Sequence, residues 1–132
     1  MSSAAPRKPR PKYLNIVELG FAQPVPAVLS ILHRVSGALL FFPGVLWLLF
    51  LLDRSLTSPE GFASVAQYLS MWPVKLALLG MLWLFCHHFF AGIRYLFLDL
   101  DKGVDKPTAR MTSWAVFAAG ALATLWLGAK LW

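Results

Sequence analysis

Three long apolar runs set the pattern of this chain, and short polar stretches separate them. The first run is free of charge from Val35 to Leu52, 18 residues, against the roughly 20 that a helix needs to cross a bilayer. Pro24 and Pro26 bar an earlier helical start, so the pattern predicts a span over 27–52. Pro43 with Gly44 predicts a kink inside it. The second run, Leu76 to Ile93, is also 18 residues without formal charge when its histidines are neutral, and predicts a span over 74–98. The third predicts a span over 111–129, 19 residues or about 28 Å of helix. Between the first two, Ser58 and Pro59 have the character of an N-cap and a first helical position. Phe62, Val65, Ala66 and Leu69 then recur at i, i+3, i+4 and i+7, which predicts a short interfacial helix ahead of Trp72 and Pro73. The second loop carries Asp99, Asp101, Lys102, Asp105, Lys106 and Arg110, with Gly103 and Pro107 as breakers.

The fold class is therefore an all-α membrane protein with three transmembrane helices. Residues 1–26 form a basic tail and approach segment, and 27–132 a three-span membrane domain. Composition agrees. Of 132 residues, 58% are hydrophobic and 14% charged, and the mean hydropathy is +0.64. Average soluble domains carry about 25% charged residues, so a soluble enzyme with a catalytic cleft is excluded. A net charge of +6 would suit nucleic acid, but the basic residues flank apolar runs. Membrane topology accounts for them, and no nucleic-acid partner is expected. Four lie in the tail (Arg7, Lys8, Arg10, Lys12) and four at the second loop (Arg94, Lys102, Lys106, Arg110). With Arg34, nine stand on the side of the N-terminus, against Arg54, Lys75 and Lys130 on the other. The positive-inside rule predicts a cytoplasmic N-terminus and a C-terminus outside. The tail has no apolar core, so it is not expected to be a secretory signal. The single cysteine, Cys86, cannot form an intrachain disulfide and reads as packing. Gly120, Thr124 and Gly128 recur at four-residue spacing, which suits close approach of another helix. A transporter or channel is disfavoured, because no internal repeat is evident and the spans hold no acidic residue.

Two polar clusters interrupt this apolar plan. Ser30-Ile31-Leu32-His33-Arg34-Val35-Ser36-Gly37 opens the first span, with Ser30 and Arg34 one turn apart and His33 and Gly37 likewise. Cys86-His87-His88-Phe89-Phe90-Ala91-Gly92-Ile93-Arg94-Tyr95 closes the second. An intramembrane histidine is costly and points to function. A glycine beside it leaves room for a flat group such as haem, whose usual protein ligand is a neutral imidazole. The plainer reading is a histidine bonded to a neighbouring helix. His88 shares its face with Gly92 and His87 with Ala91, about 100° apart, so one iron cannot take both. Arg34 either snorkels to headgroups or, with Ser30, donates hydrogen bonds to a carbonyl or carboxylate.

Taken together and in order, Ser30-Ile-Leu-His-Arg-Val-Ser-Gly37 and His88-Phe-Phe-Ala-Gly-Ile-Arg94 with Asp99 resemble the cytochrome b-type membrane-anchor subunit of succinate dehydrogenase, respiratory complex II. Arg10-Pro11-Lys-Tyr-Leu-Asn15 and the three-span plan fit as well, so the resemblance covers nearly the whole chain. It implies a helical bundle with a second three-span anchor subunit, holding an iron–sulfur subunit and a flavoprotein subunit on the membrane. It implies one haem b shared between the anchors, with His88 as the iron ligand from this chain and His33 and Arg34 near the propionates. Ser30 and Arg34 map to the ubiquinone pocket, and Asp99 to an acidic position beside it. In many relatives a histidine follows the Gly-Ile-Arg arginine. Here Tyr95 stands there, a phenol that still donates, and so a candidate haem neighbour. The implied function is ubiquinone reduction within succinate:ubiquinone oxidoreductase, with succinate chemistry on other chains, in a bacterial inner membrane with the C-terminus periplasmic. The alternatives are the anchor of a quinol:fumarate reductase and a haem-free membrane scaffold.

Overall fold

The computed structural model describes residues 22–131 together with Val17 and Gly20. The basic tail and Trp132 lie outside the described residues. Helix α1 covers Val25–Leu39, and Leu40–Val45 continues it as a wide π-helical segment. Helix α2 covers Leu46–Thr57, α3 Pro59–Ser70, α4 Trp72–Asp99 and α5 Lys106–Leu131. α1, the π segment and α2 form one continuous helix of 33 residues. With α4 and α5 it makes three helices long and apolar enough to cross a membrane, which bears out the all-α, three-span reading.

Local chemistry sets the ends. Pro24 stands extended ahead of α1, with proline again in its first turn. Pro43 produces the π segment where the sequence predicts a kink. Its missing N–H cannot close an ordinary turn, and a wider closure accommodates it. Gly44 permits that closure. A Cβ there would lie 3.1 Å from the Leu39 carbonyl oxygen and 3.1 Å from Met81 Cε of α4. Ser58 caps α3, its hydroxyl accepting from Gly61 N at 3.0 Å. Asp105 caps α5, accepting from Thr108 N at 3.0 Å. The α4–α5 turn passes through Asp101 and Gly103, both with positive φ (56° and 78°), a region that aspartate tolerates and glycine favours.

The central cluster takes one fully packed residue from each span. Leu29 of α1, Ala91 of α4 and Val116 of α5 meet there, with Phe90, Tyr95 and Phe117 packed around them. α5 turns its small residues onto α4: Ser113, Val116, Gly120, Thr124 and Gly128 are all buried. A Cβ at Gly120 would stand 3.4 Å from the His87 Cα, so the two backbones run close together. Thr124 satisfies its hydroxyl by donating to the Gly120 carbonyl at 2.7 Å. Large apolar side chains such as Phe41, Leu46, Leu122 and Trp126 face outward, as they do where lipid or another subunit is the surroundings.

Candidate functional site

The two polar clusters meet where the N-terminal half of the first span, in α1, crosses the C-terminal half of α4. The rings of His33 and His88 stack with centroids 4.2 Å apart and planes 15° off parallel. Each ring sits over a glycine of the opposite helix. A Cβ at Gly37 would lie 2.8 Å from His88 Cε1, and one at Gly92 would lie 3.8 Å from His33 Nε2. The sequence pairs His88 with Gly92 on its own helix. In the fold, the glycine that makes room for His88 is Gly37.

His88 is anchored through one nitrogen. Nδ1 lies 3.0 Å from the His33 carbonyl oxygen and 3.2 Å from Ser36 Oγ. A carbonyl oxygen can only accept, so Nδ1 carries a proton, and of the two neutral tautomers the fold selects the one with its lone pair on Nε2. Nε2 makes no hydrogen bond among the described residues, and the residue is half-buried.

His87 is in a different environment. It is 1% exposed, packed on Gly120, and its ring stacks on Trp83 and on Phe117, each at 5.4 Å. Its Nε2 is buried without a partner among the described residues. No open face is left for a metal to approach, so the turn between the two histidines separates one packed between α4 and α5 from one on the α1 side.

Around the stacked pair, Tyr95 lies 5.0 Å from the His33 ring, and its hydroxyl is buried without a partner among the described residues. Arg34 is exposed and donates to Ser30 Oγ at 3.2 Å. That contact occupies a lone pair of the hydroxyl and leaves its proton free to donate. Asp99 ends α4 and is exposed, and no contact joins it to Ser30 or Arg34 among the described residues. Arg94 differs from its sequence reading as a boundary arginine. It is 7% exposed, donates from Nε to Thr112 Oγ1 at 3.0 Å and from a terminal nitrogen to the Ala109 carbonyl at 3.3 Å, and ties α4 to α5. Its Cζ lies 5.6 Å from the Tyr95 ring centre. Ser36, which sequence reasoning left without a role, joins His33 in linking the two clusters. Its place three residues after His33 is the only sequence signal for it.

These features define a class, a small three-span helical membrane subunit with an imidazole pair set between two of its spans. The chain belongs to the succinate dehydrogenase/fumarate reductase transmembrane subunit family, whose pattern it matches over residues 6–127. It is similar to the succinate dehydrogenase cytochrome b556 subunit of Coxiella burnetii (strain RSA 493 / Nine Mile phase I), with 37% identity over 125 residues, 93% of this chain and 97% of that protein. It is also similar to the subunit of that name from Paracoccus denitrificans, with 31% identity over 111 residues, 84% of this chain and 82% of that protein. The Rickettsia prowazekii (strain Madrid E) subunit is 27% identical over 121 residues, 92% of this chain and 90% of that protein.

Proposed function

We propose that this chain anchors a succinate:ubiquinone oxidoreductase in the bacterial inner membrane, co-ligates a haem b through His88 Nε2 and lines the ubiquinone site with Ser30 and Arg34. The observation that carries the haem assignment is the Nδ1 contact to a backbone carbonyl, which leaves Nε2 as the free lone pair. The donor set fits the group: an imidazole whose Nδ1 is taken by a carbonyl, a second ring stacked on it at 4.2 Å, and a phenol nearby without a partner among the described residues. A second anchor subunit would supply a further ligand to the haem, and iron–sulfur and flavoprotein subunits dock on the cytoplasmic face. The nine-to-three basic asymmetry supports that orientation, with the C-terminus periplasmic.

When bound, haem b supplies a one-electron carrier inside the membrane. His33 and Arg34 would hold its propionates as donors, and Tyr95 would add a phenolic donor in place of the more usual histidine. At the quinone, Ser30 donates its free proton to one carbonyl oxygen, and Arg34 fixes the serine and adds positive charge. Both polarise the carbonyl as ubiquinone takes two electrons and two protons. Asp99 places a carboxylate at the same end of the bundle. Succinate oxidation belongs to the other chains. The family's description includes fumarate reductases, and the same residues serve the reverse direction, which the partners and the quinone decide.

The test is the reduced-minus-oxidised optical spectrum and the low-spin EPR spectrum of the purified complex. His88→Ala is expected to abolish the native two-imidazole signature. Its persistence in that variant would remove His88 as the ligand.

A further inference from the structure

We propose that Ser36 is a positioning residue that holds His88 in the one tautomer and ring orientation that present Nε2 to iron. The proposal rests on the reading of His88 as the ligand. Ser36 is 1% exposed, in the middle of an apolar helix, where a hydroxyl must find partners within the protein. It donates its single proton to the His33 carbonyl oxygen at 2.9 Å. Its oxygen can then only accept, and the atom facing it at 3.2 Å is His88 Nδ1. The same carbonyl also faces Nδ1, at 3.0 Å. The imidazole N–H therefore points into a fork of two acceptors that are themselves hydrogen-bonded to each other.

That triangle does more than a single hydrogen bond. One acceptor fixes the tautomer but leaves the ring some freedom about Cβ–Cγ. Two acceptors on one helix restrict that rotation. Gly37, the next residue, brings the α1 backbone against the ring, and His33 stacks on it. The serine is thus the only side-chain hydrogen-bond partner of His88 among the described residues. Polarising Nδ1–H also makes Nε2 a stronger donor to ferric iron, as outer-sphere partners of metal-bound histidines do. The rival account is plain back-bonding, in which a span serine satisfies itself on the carbonyl of the preceding turn and does nothing for its neighbours. Under that account the 3.2 Å contact is incidental.

The experiment uses the whole membrane complex purified from strains carrying Ser36→Ala, Ser36→Thr and Ser36→Val, with His88→Ala alongside. The readouts are haem per flavin, the haem midpoint potential from an optical redox titration, and the width of the low-spin EPR signal. With Ser36→Ala the midpoint is expected to rise, because ferric haem loses donor strength, and the EPR signal to broaden as the ring gains freedom. Threonine and valine have nearly the same shape and differ by the hydroxyl, so they separate chemistry from packing if alanine fails to assemble. Threonine is expected to keep the lower potential and valine to show the raised one. Equal potentials and line widths for threonine and valine, or an unshifted Ser36→Ala complex with full haem, would overturn the proposal. If those variants are silent while His88→Ala loses the native signature, the ligand assignment stands without Ser36. If His88→Ala keeps the native signature, the ligand reading fails and the proposal with it.

Discussion

His88 Nδ1 lies 3.0 Å from the backbone carbonyl oxygen of His33, a contact across 55 positions of sequence. The carbonyl belongs to the first polar cluster and the ring to the second, so α1 selects the tautomer of a neutral imidazole on α4. The atom that joins the two spans is also the one that selects between the two tautomers of the neutral ring.

Gly37→Ala is expected to displace His88. The added methyl would stand 2.8 Å from Cε1, closer than unbonded carbons approach, and an imidazole cannot bend away as a lysine tip can. Haem affinity should fall about 10–100-fold, the range seen when the support of a metal-bound histidine is lost. Haem-to-flavin ratio in the purified complex measures it, and a wild-type ratio would show that the ring has room.

His87→Phe should keep both the haem spectrum and the assembly, since a phenyl ring can take over the stacking on Trp83 and Phe117 and has no orphaned nitrogen. His87→Ala should destabilise the complex by roughly 2–4 kcal/mol through the cavity it leaves, again without changing the ligation signature. A lost two-imidazole signature in an intact His87→Phe complex would make His87 the ligand.

Ser30→Ala and Arg34→Lys should impair quinone reduction while sparing succinate oxidation by an artificial acceptor. Loss of a neutral hydrogen bond costs on the order of 1 kcal/mol, and of a charge-assisted one about 1.5–3 kcal/mol, so Arg34→Ala should be the more severe. Lysine snorkels as well as arginine but lacks the planar fork. Near-normal quinone reductase activity per flavin in both Ser30→Ala and Arg34→Lys would place these side chains outside the quinone site.

Gly120→Leu should disrupt the α4–α5 seam, because the side chain meets the backbone of His87. Overpacking of this kind costs about 1–3 kcal/mol or more. Gly128→Ala should be milder, because only the Leu79 δ-methyl stands in the way, at 2.9 Å, and it can rotate. Thermal inactivation midpoints of the two complexes should rank in that order.

Asp105 gives a pH prediction. Hydrogen bonds from Thr108 at the start of α5 hold its carboxyl below the ordinary 3.8. A depressed pKa means that the ionised cap stabilises the fold above that ordinary value and loses this effect as pH falls through the folded value. The stability gap between wild type and Asp105→Asn should therefore narrow on acidification. A gap constant from pH 6 to 3 would show that the carboxylate charge contributes nothing.

The three spans were legible because uninterrupted apolar runs of this length leave few alternatives to a membrane helix. The stripe Gly120, Thr124 and Gly128 was legible for a related reason: small residues in register have little purpose except close approach, and all three are buried. Arg94 was not. Whether an arginine near a helix end snorkels or turns inward depends on what the neighbouring helix offers, here Thr112 and Ala109, and local sequence does not say. Ser36 was hidden for the same reason. Its partner His88 is 52 positions away, while its bond to His33 looks like ordinary back-bonding. The choice between His87 and His88 rested on family resemblance and on which glycine shared a face. In the fold, the opposing helices separate the two, one closed in by aromatic rings and one resting on Gly37.

The π-helical segment Leu40–Val45 has a consequence for how the first span can be altered. Each wide closure takes in one residue more than an α-turn, so side chains beyond Val45 are out of phase with those before Leu40. His33, Ser36 and Gly37 look toward α4, and the far half is turned so that Trp47 meets Tyr68 of α3. Removing a single residue from this segment would barely shorten the helix. It would rotate one half of the span against the other, and the chain would have to give up either its imidazole pair or its seat for α3.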